Sequence, residues 1–183
     1  MTDGPAYGSA VILVVPEAEP VIGEMRREHT PGGTRGIPAH VTLLHPFVGA
    51  DRIDDDVLAR LREAVDGFAA FDLLLANTAR FDDGVLYLAV EPIDVIRALI
   101  ARISDAFGRI PYDRFPPDEI IPHVTVVTGS AYPNGATSAD LELFELLEAR
   151  LASSLPLRSR ADRVVILADS REGWTTAHEL PLG

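Results

Sequence analysis

The amino-acid sequence predicts an α+β fold with two pseudo-symmetric lobes, each an antiparallel sheet with covering helices, around a central cleft. Three observations carry this expectation. Short apolar, β-rich runs alternate with helical segments along the chain. Two passages rhyme: Ile37-Pro38-Ala39-His40-Val41-Thr42-Leu43-Leu44 and Ile121-Pro122-His123-Val124-Thr125-Val126-Val127. Each is followed by a loop, a helix, a strand, a Gly-containing turn and another strand. Hydrophobic residues make up 47% of the chain, enough for a sizeable core. A duplication of supersecondary units fits two lobes rather than a solenoid, which needs roughly three or more copies. The chain is therefore expected as one bilobal domain, residues 1–183, with repeat units at about 37–91 and 120–181.

The elements follow in order. Ala10 to Val15 is a strongly apolar run ending at Pro16, expected as a buried strand. It is far shorter than the roughly 20 residues of a membrane-spanning helix. It also lacks a basic leader and a small-residue cleavage site, so the expected compartment is the cytoplasm. Glu19 to His29 has helical composition, acidic residues first and basic ones last, as the helix dipole favours. Thr30 to Gly36 reads as a loop from its Pro and Gly content, and Ala39 to Leu44 as a strand. Asp54, Asp55 and Asp56 suit a helix N-terminus, and Val57, Leu58, Leu61 and Val65 form its apolar stripe. Phe71 to Phe81 and Val85 to Val90 are strands around the hairpin signal Asp82-Asp83-Gly84. A helix from about Pro92 to Phe107 stops at Gly108. Pro111 to Pro117 is a loop, and Pro122 to Thr128 a strand. Leu141 to Leu151 is a helix with Thr137 or Ser138 near its start. Arg163 to Ala168 and Trp174 to Leu180 are the last strands, joined at Glu172-Gly173.

Composition narrows the chemistry. Cysteine is absent, which removes disulfides, thiolate metal sites and cysteine nucleophiles together. All 16 basic residues are arginine, and the net charge is −12. So acidic a chain repels polyanions at long range, and neither a large nucleic-acid surface nor a membrane partner is expected. A local pocket for one phosphate is compatible with that charge. Thr30-Pro31-Gly32-Gly33 lacks the Lys-Ser/Thr of a P-loop. No Gly-x-Ser-x-Gly elbow occurs. Oligomeric state is not set by anything in the sequence.

The paired histidines carry the functional signal. Residues i and i+2 of a strand share a face, roughly 6–7 Å apart. His40 and Thr42 therefore point one way, and Val41 and Leu43 the other. His123 and Thr125 repeat the arrangement, opposite Val124 and Val126. The apolar residues suit a core, and the His-Thr faces suit a cleft. Two imidazoles titrating near neutrality can act as base and acid on a phosphodiester. Threonine hydroxyls can hold its non-bridging oxygens. This scheme needs neither metal nor cofactor.

Two His-hydrophobic-Thr-hydrophobic tetrads, one per half, resemble the signature of the two-histidine (2H) phosphoesterase superfamily. That group includes 2′-5′ RNA ligase-like proteins and cyclic nucleotide phosphodiesterases. The matching residues are His40, Thr42 and Leu43, and His123, Thr125 and Val126. The surrounding strands and helices extend the likeness over nearly the whole chain. The resemblance implies a V-shaped cleft and action on 2′,3′-cyclic or 2′–5′ linked phosphates. It makes His40 and His123 the catalytic pair, in unassigned order. The acidity departs from what a protein acting on large RNA would carry. It favours a small phosphoester, a nucleotide or a short RNA as partner.

Other residues keep two readings. Arg35 is either a solvated loop arginine or a phosphate contact. Tyr112, Arg114 and Phe115 either pack or wall the cleft, where an aromatic could stack on a base. Phe47 is expected in the core. His45 is a loop or core residue, and His29 and His178 have no assigned role. Two alternatives to the enzyme stand beside it. One is a non-catalytic module binding a nucleotide or phosphate ligand in the same cleft. The other is a metal-dependent hydrolase using His40, His45 and His123.

Overall fold

The computed structural model describes residues 8–109 and 111–183. The leader region considered above lies in residues 1–7, outside them. Strands β1 (Ser9–Val14), β2 (His40–Leu44), β3 (Phe71–Phe81), β4 (Val85–Glu91), β5 (His123–Thr128), β6 (Leu157–Ala161), β7 (Arg163–Ser170) and β8 (Gly173–Pro181) form two antiparallel sheets. Among the described residues, five α-helices accompany them: α1 (Glu19–His29), α2 (Pro31–Thr34), α3 (Asp55–Val65), α4 (Ile93–Phe107) and α5 (Ser138–Leu151). Among the described residues, no helix is long and apolar enough to cross a membrane.

One sheet has the order β2-β1-β7-β8 and the other β5-β4-β3-β6. The expected two-lobed α+β architecture is present. Each motif strand, β2 or β5, is an edge strand. β1 and α1 precede β2 as β4 and α4 precede β5, and each pair of strands lies side by side in its sheet. The next strand in each sheet comes from the other half of the chain for β7 beside β1, and from the preceding hairpin for β3 beside β4. The helices interlock the sheets further. α1 packs against β5, α4 packs against β2, and β2 and β5 lie against each other.

Alternation along the motif strands explains this. Val41, Leu43, Val124 and Val126 are all 0% exposed and belong to one hydrophobic cluster spanning both sheets. His40, Thr42, His123 and Thr125 on the opposite faces are half-buried. A shift of one residue would exchange these sets, so the core fixes the register of the polar face. Phe47 is fully buried in the same cluster, as expected. A second small cluster, Ala10, Ile12, Val165 and Leu167, covers the other face of the first sheet, with Ile37 and Trp174 packed on it.

Local signals set most element ends. Asp54 caps α3 by accepting from Val57 N at 2.9 Å. Gly108 ends α4 in the left-handed conformation at φ 59°, where a Cβ would be strained. Thr137 and Asp140 cap α5 reciprocally, and Asp140 also holds Ser130 N and Oγ. These bonds to its charged form keep the Asp140 carboxyl well below the usual carboxylate range.

Two expectations change. Thr30 to Gly36 is not all loop, because residues 31–34 form α2. Thr30 Oγ1 accepts from Gly33 N at 2.9 Å, and Pro31 occupies the first helical turn, where no N–H is needed. The second change is β6, a strand with no counterpart among the expected elements. Leu157, Ser159 and Ala161 face inward while Arg158 and Arg160 face out, so charge hides a period-2 pattern.

Thr137→Ala should lower unfolding free energy by about 1 kcal/mol, the usual worth of an N-cap. Thr137→Ser should stay near wild type. Urea denaturation checks both, and an unaltered Thr137→Ala midpoint would contradict the capping role.

Candidate active site

The polar faces of β2 and β5 meet where the two sheet edges meet. His40 and His123 are anchored in the same way. His40 Nδ1 lies 2.7 Å from Pro38 O, and His123 Nδ1 lies 2.8 Å from Ile121 O. A carbonyl only accepts, so each Nδ1 carries a proton and each Nε2 is the nitrogen left for chemistry. Both anchors are two residues back along the chain, in the prolyl segment that precedes each motif strand. The repeated Ile-Pro element thus fixes ring orientation as well as entry to the strand.

A cavity of about 200 Å³ lies beside these strands. His40, Thr42 and Thr125 line it, together with Arg26, His45, Tyr112, Thr128 and Trp174. Ala10, Ile12, Ile37 and Leu167 give it an apolar floor. The volume is below the range typical for a whole drug-sized ligand, so it suits a phosphate group and its immediate neighbours. A larger cavity of about 340 Å³ adjoins it through Thr30, Pro31 and Thr128 and contains neither motif histidine. His123 does not line the smaller cavity. Its ring packs edge-on against Phe81 at 4.9 Å and Tyr87 at 5.2 Å.

The electrostatics favour neutral rings. The His40 imidazole is pushed down to about 3, by burial first, then by the Arg26 guanidinium, with His123 and His45 adding smaller repulsions. The bond to Pro38 O opposes them. Burial also lowers His123, with Arg26 adding to it, while the Ile121 carbonyl and Asp83 act the other way. Both histidines are therefore uncharged near neutrality in the open cleft. A bound anion would raise both affinities, because opposite charge favours imidazolium.

The other expected contacts separate into two groups. Tyr112 reaches the cavity, and its backbone N–H donates to His45 O. It sits at φ 57° and Asp113 at φ 50°, a left-handed pair that non-glycine residues rarely adopt. Arg35 does not line the cavity. Its guanidinium pairs with Asp169 at 2.5 Å and donates to Ser170 O, pinning the 34–36 turn to the β7–β8 hairpin. Arg114 and Phe115 also lie outside the cavity lining, stacked on each other at 5.0 Å.

Three lining residues are not assigned to the phosphoesterase site by the sequence, although His45 enters the metal-dependent alternative. His45, a loop or core residue by its position, stands between Tyr112 (5.9 Å) and Trp174 (6.2 Å) at the cavity wall. Trp174 reads only as a strand residue. Arg26 reads as a dipole partner at the end of α1. Its spacing of four from Ile22 marks it for the buried face, and that signal is present in the sequence. Among the described residues, no three His, Cys, Asp or Glu side chains gather as a candidate metal site.

A family model described as the 2′-5′ RNA ligase superfamily matches residues 14–173. Solved structures share the fold at low identity. TT0787 of Thermus thermophilus superposes with a TM-score of 0.59 at 17% identity, over 96% of this chain and 97% of that one. LigT of E. coli complexed with 3′-AMP gives 0.58 at 16%, over 97% and 98%. The same protein complexed with phosphate gives 0.57 at 17%, over 96% and 97%. No curated protein matches the chain by sequence.

The lowered His40 affinity has a consequence for stability. The unfolded chain, with histidine near 6.5, binds the proton more readily than the folded one. The contribution is complete above about pH 6.5 and is lost as pH falls from there toward 3. Urea midpoints should therefore drop less on acidification in His40→Gln than in wild type. Parallel pH curves for the two proteins would contradict the assignment.

Proposed function

The chain belongs to the 2′-5′ RNA ligase superfamily, and from that premise we propose that it is a metal-independent 2H phosphoesterase. Its substrate is a 2′,3′-cyclic phosphate or 2′–5′ phosphodiester of a nucleotide or short oligonucleotide. The observation that carries this reading is the matched pair of edge strands. Each presents a half-buried His-Thr face, and each imidazole is oriented by a carbonyl two residues back. The complexes of E. coli LigT with 3′-AMP and with phosphate support small phosphate ligands on this fold.

The chemistry follows from those positions. The phosphodiester enters as an anion and raises the proton affinity of the nearby imidazoles. One histidine remains neutral and removes a proton from water at Nε2. The water oxygen bonds to phosphorus as the bond to the sugar oxygen breaks. The second histidine, protonated while the anion is bound, gives its Nε2 proton to the leaving oxygen. Thr42 and Thr125 donate hydroxyl hydrogens to the non-bridging oxygens. The proton taken from water and the proton given to the alcohol balance, and the pair exchanges roles in the reverse direction. The net charge of −12 fits a short substrate better than a long polyanion.

His40→Ala and His123→Ala should each reduce turnover of 2′,3′-cyclic nucleotides or 2′–5′ dinucleotides by about 100-fold or more, in folded protein. EDTA should leave the wild-type rate unchanged. Retention of near-wild-type rates in both variants would reject the site. Loss on chelation with recovery on adding a divalent ion would reject the metal-free scheme. Phosphate binding without turnover of any substrate would leave the cleft a binding module.

The pH profile gives a separate test. Both free-protein affinities are lowered, so kcat/KM should be bell-shaped with its maximum below about pH 6.5. A maximum well above neutrality would contradict the electrostatics described here.

A further inference from the structure

Arg26 is 2% exposed, an uncommon place for a guanidinium. It projects from α1 between the two motif strands. One Nη donates to Thr125 O on β5, and the other to Ile37 O at 3.4 Å and Pro38 O at 3.2 Å, just before β2. Nε has no hydrogen-bond partner among the described residues. Burying such a charge is costly unless it is matched, and carbonyl dipoles match it only in part. Glu19 adds a favourable charge but forms no ion pair with it. The side chain also lines the cavity with His40, Thr42 and Thr125, where it is the sole Arg or Lys among the described residues.

These contacts fall on the functional backbone of both halves. Thr125 O belongs to the residue whose hydroxyl is proposed to hold phosphate. Pro38 O is the same carbonyl that accepts the hydrogen bond from His40 Nδ1–H. One planar fork therefore spans two sheets and touches the anchor of one histidine and the motif strand of the other. Lysine, a single point charge, cannot hold both sides in that geometry.

We propose that Arg26 is a positioning residue that sets the separation of the two motif strands and supplies the permanent positive charge of the cleft. The inference rests on the phosphoesterase reading above. Arg26 acts on catalysis through His40 and Thr125, and on the substrate through its field.

The test uses Arg26→Lys and Arg26→Met in the full chain, with a 2′,3′-cyclic nucleotide for turnover and inorganic phosphate for binding. Arg26→Lys should lose about tenfold or more in kcat while phosphate affinity stays within about threefold of wild type, because charge survives and geometry does not. Arg26→Met should lose both, and its His40 titration midpoint, followed by ring ¹⁵N NMR, should rise. A merely structural role would not move that midpoint selectively. A folded Arg26→Lys with wild-type kcat overturns the proposal, and so does a folded Arg26→Met with unchanged phosphate affinity. Should neither variant fold, the wild-type protein decides: phosphate should shift the Arg26 Nε–H signal together with those of His40 and His123. An Arg26 signal that stays fixed while both histidines respond overturns the proposal. Wild-type protein that neither binds phosphate nor turns over substrate instead removes the phosphoesterase reading itself.

Discussion

The structure depends on the meeting of two sheet edges. An edge strand exposes unpaired backbone groups and invites association with another chain. Here β2 and β5, edges of different sheets, are turned toward each other, and groups from elsewhere in the chain occupy them. Arg26 takes Thr125 O on β5, and the Tyr112 N–H takes His45 O just past the end of β2. The exposed edge is thereby converted into the wall of a cleft. Because side chains alternate, the same contact that buries Val41, Leu43, Val124 and Val126 leaves His40, Thr42, His123 and Thr125 on the polar side.

Interlocking of the two sheets makes that meeting rigid. β7 and β8, from the end of the chain, complete the sheet of β1 and β2, while β3 and β4 precede β5 in the other. Separating the motif strands would then require opening a core shared by both sheets, as well as lifting α1 from β5 and α4 from β2. A pair of histidines held this way is pre-organised by packing, and the burial that fixes the rings also removes their charge. The two histidines are not equivalent. His40 sits beside a guanidinium and a polar wall, while His123 sits edge-on to Phe81 and Tyr87 with Asp83 nearby. A symmetric motif is placed in an asymmetric field, which suits the two different proton-transfer roles proposed for it.

Much of this is legible in the sequence because it is written in local signals. The Ile-Pro-(Ala)-His-Val-Thr repeats mark both motif strands and their polar faces. Asp54, Asp82-Asp83-Gly84 and Gly108 mark element ends that the structure retains. What escapes is nonlocal or masked by composition. The two outward arginines of β6 conceal its alternation. Thr30 turns a Gly-rich segment into a helix through one side-chain bond. Arg35 suits phosphate by its loop position, but Asp169, distant in sequence, claims it. Arg26, whose i+4 spacing from Ile22 places it inward, is hidden by a sound rule about basic residues at helix ends. Only the fold shows which carbonyls it reaches.

The central claim is that both imidazoles address one anion. A crystal structure of the wild-type protein soaked with inorganic phosphate measures this directly. The account predicts a single phosphate with Nε2 of His40 and Nε2 of His123 each within about 3 Å of its oxygens, and the Thr42 and Thr125 hydroxyls on the remaining ones. Phosphate bound elsewhere, or contacting only one of the two rings, would contradict it.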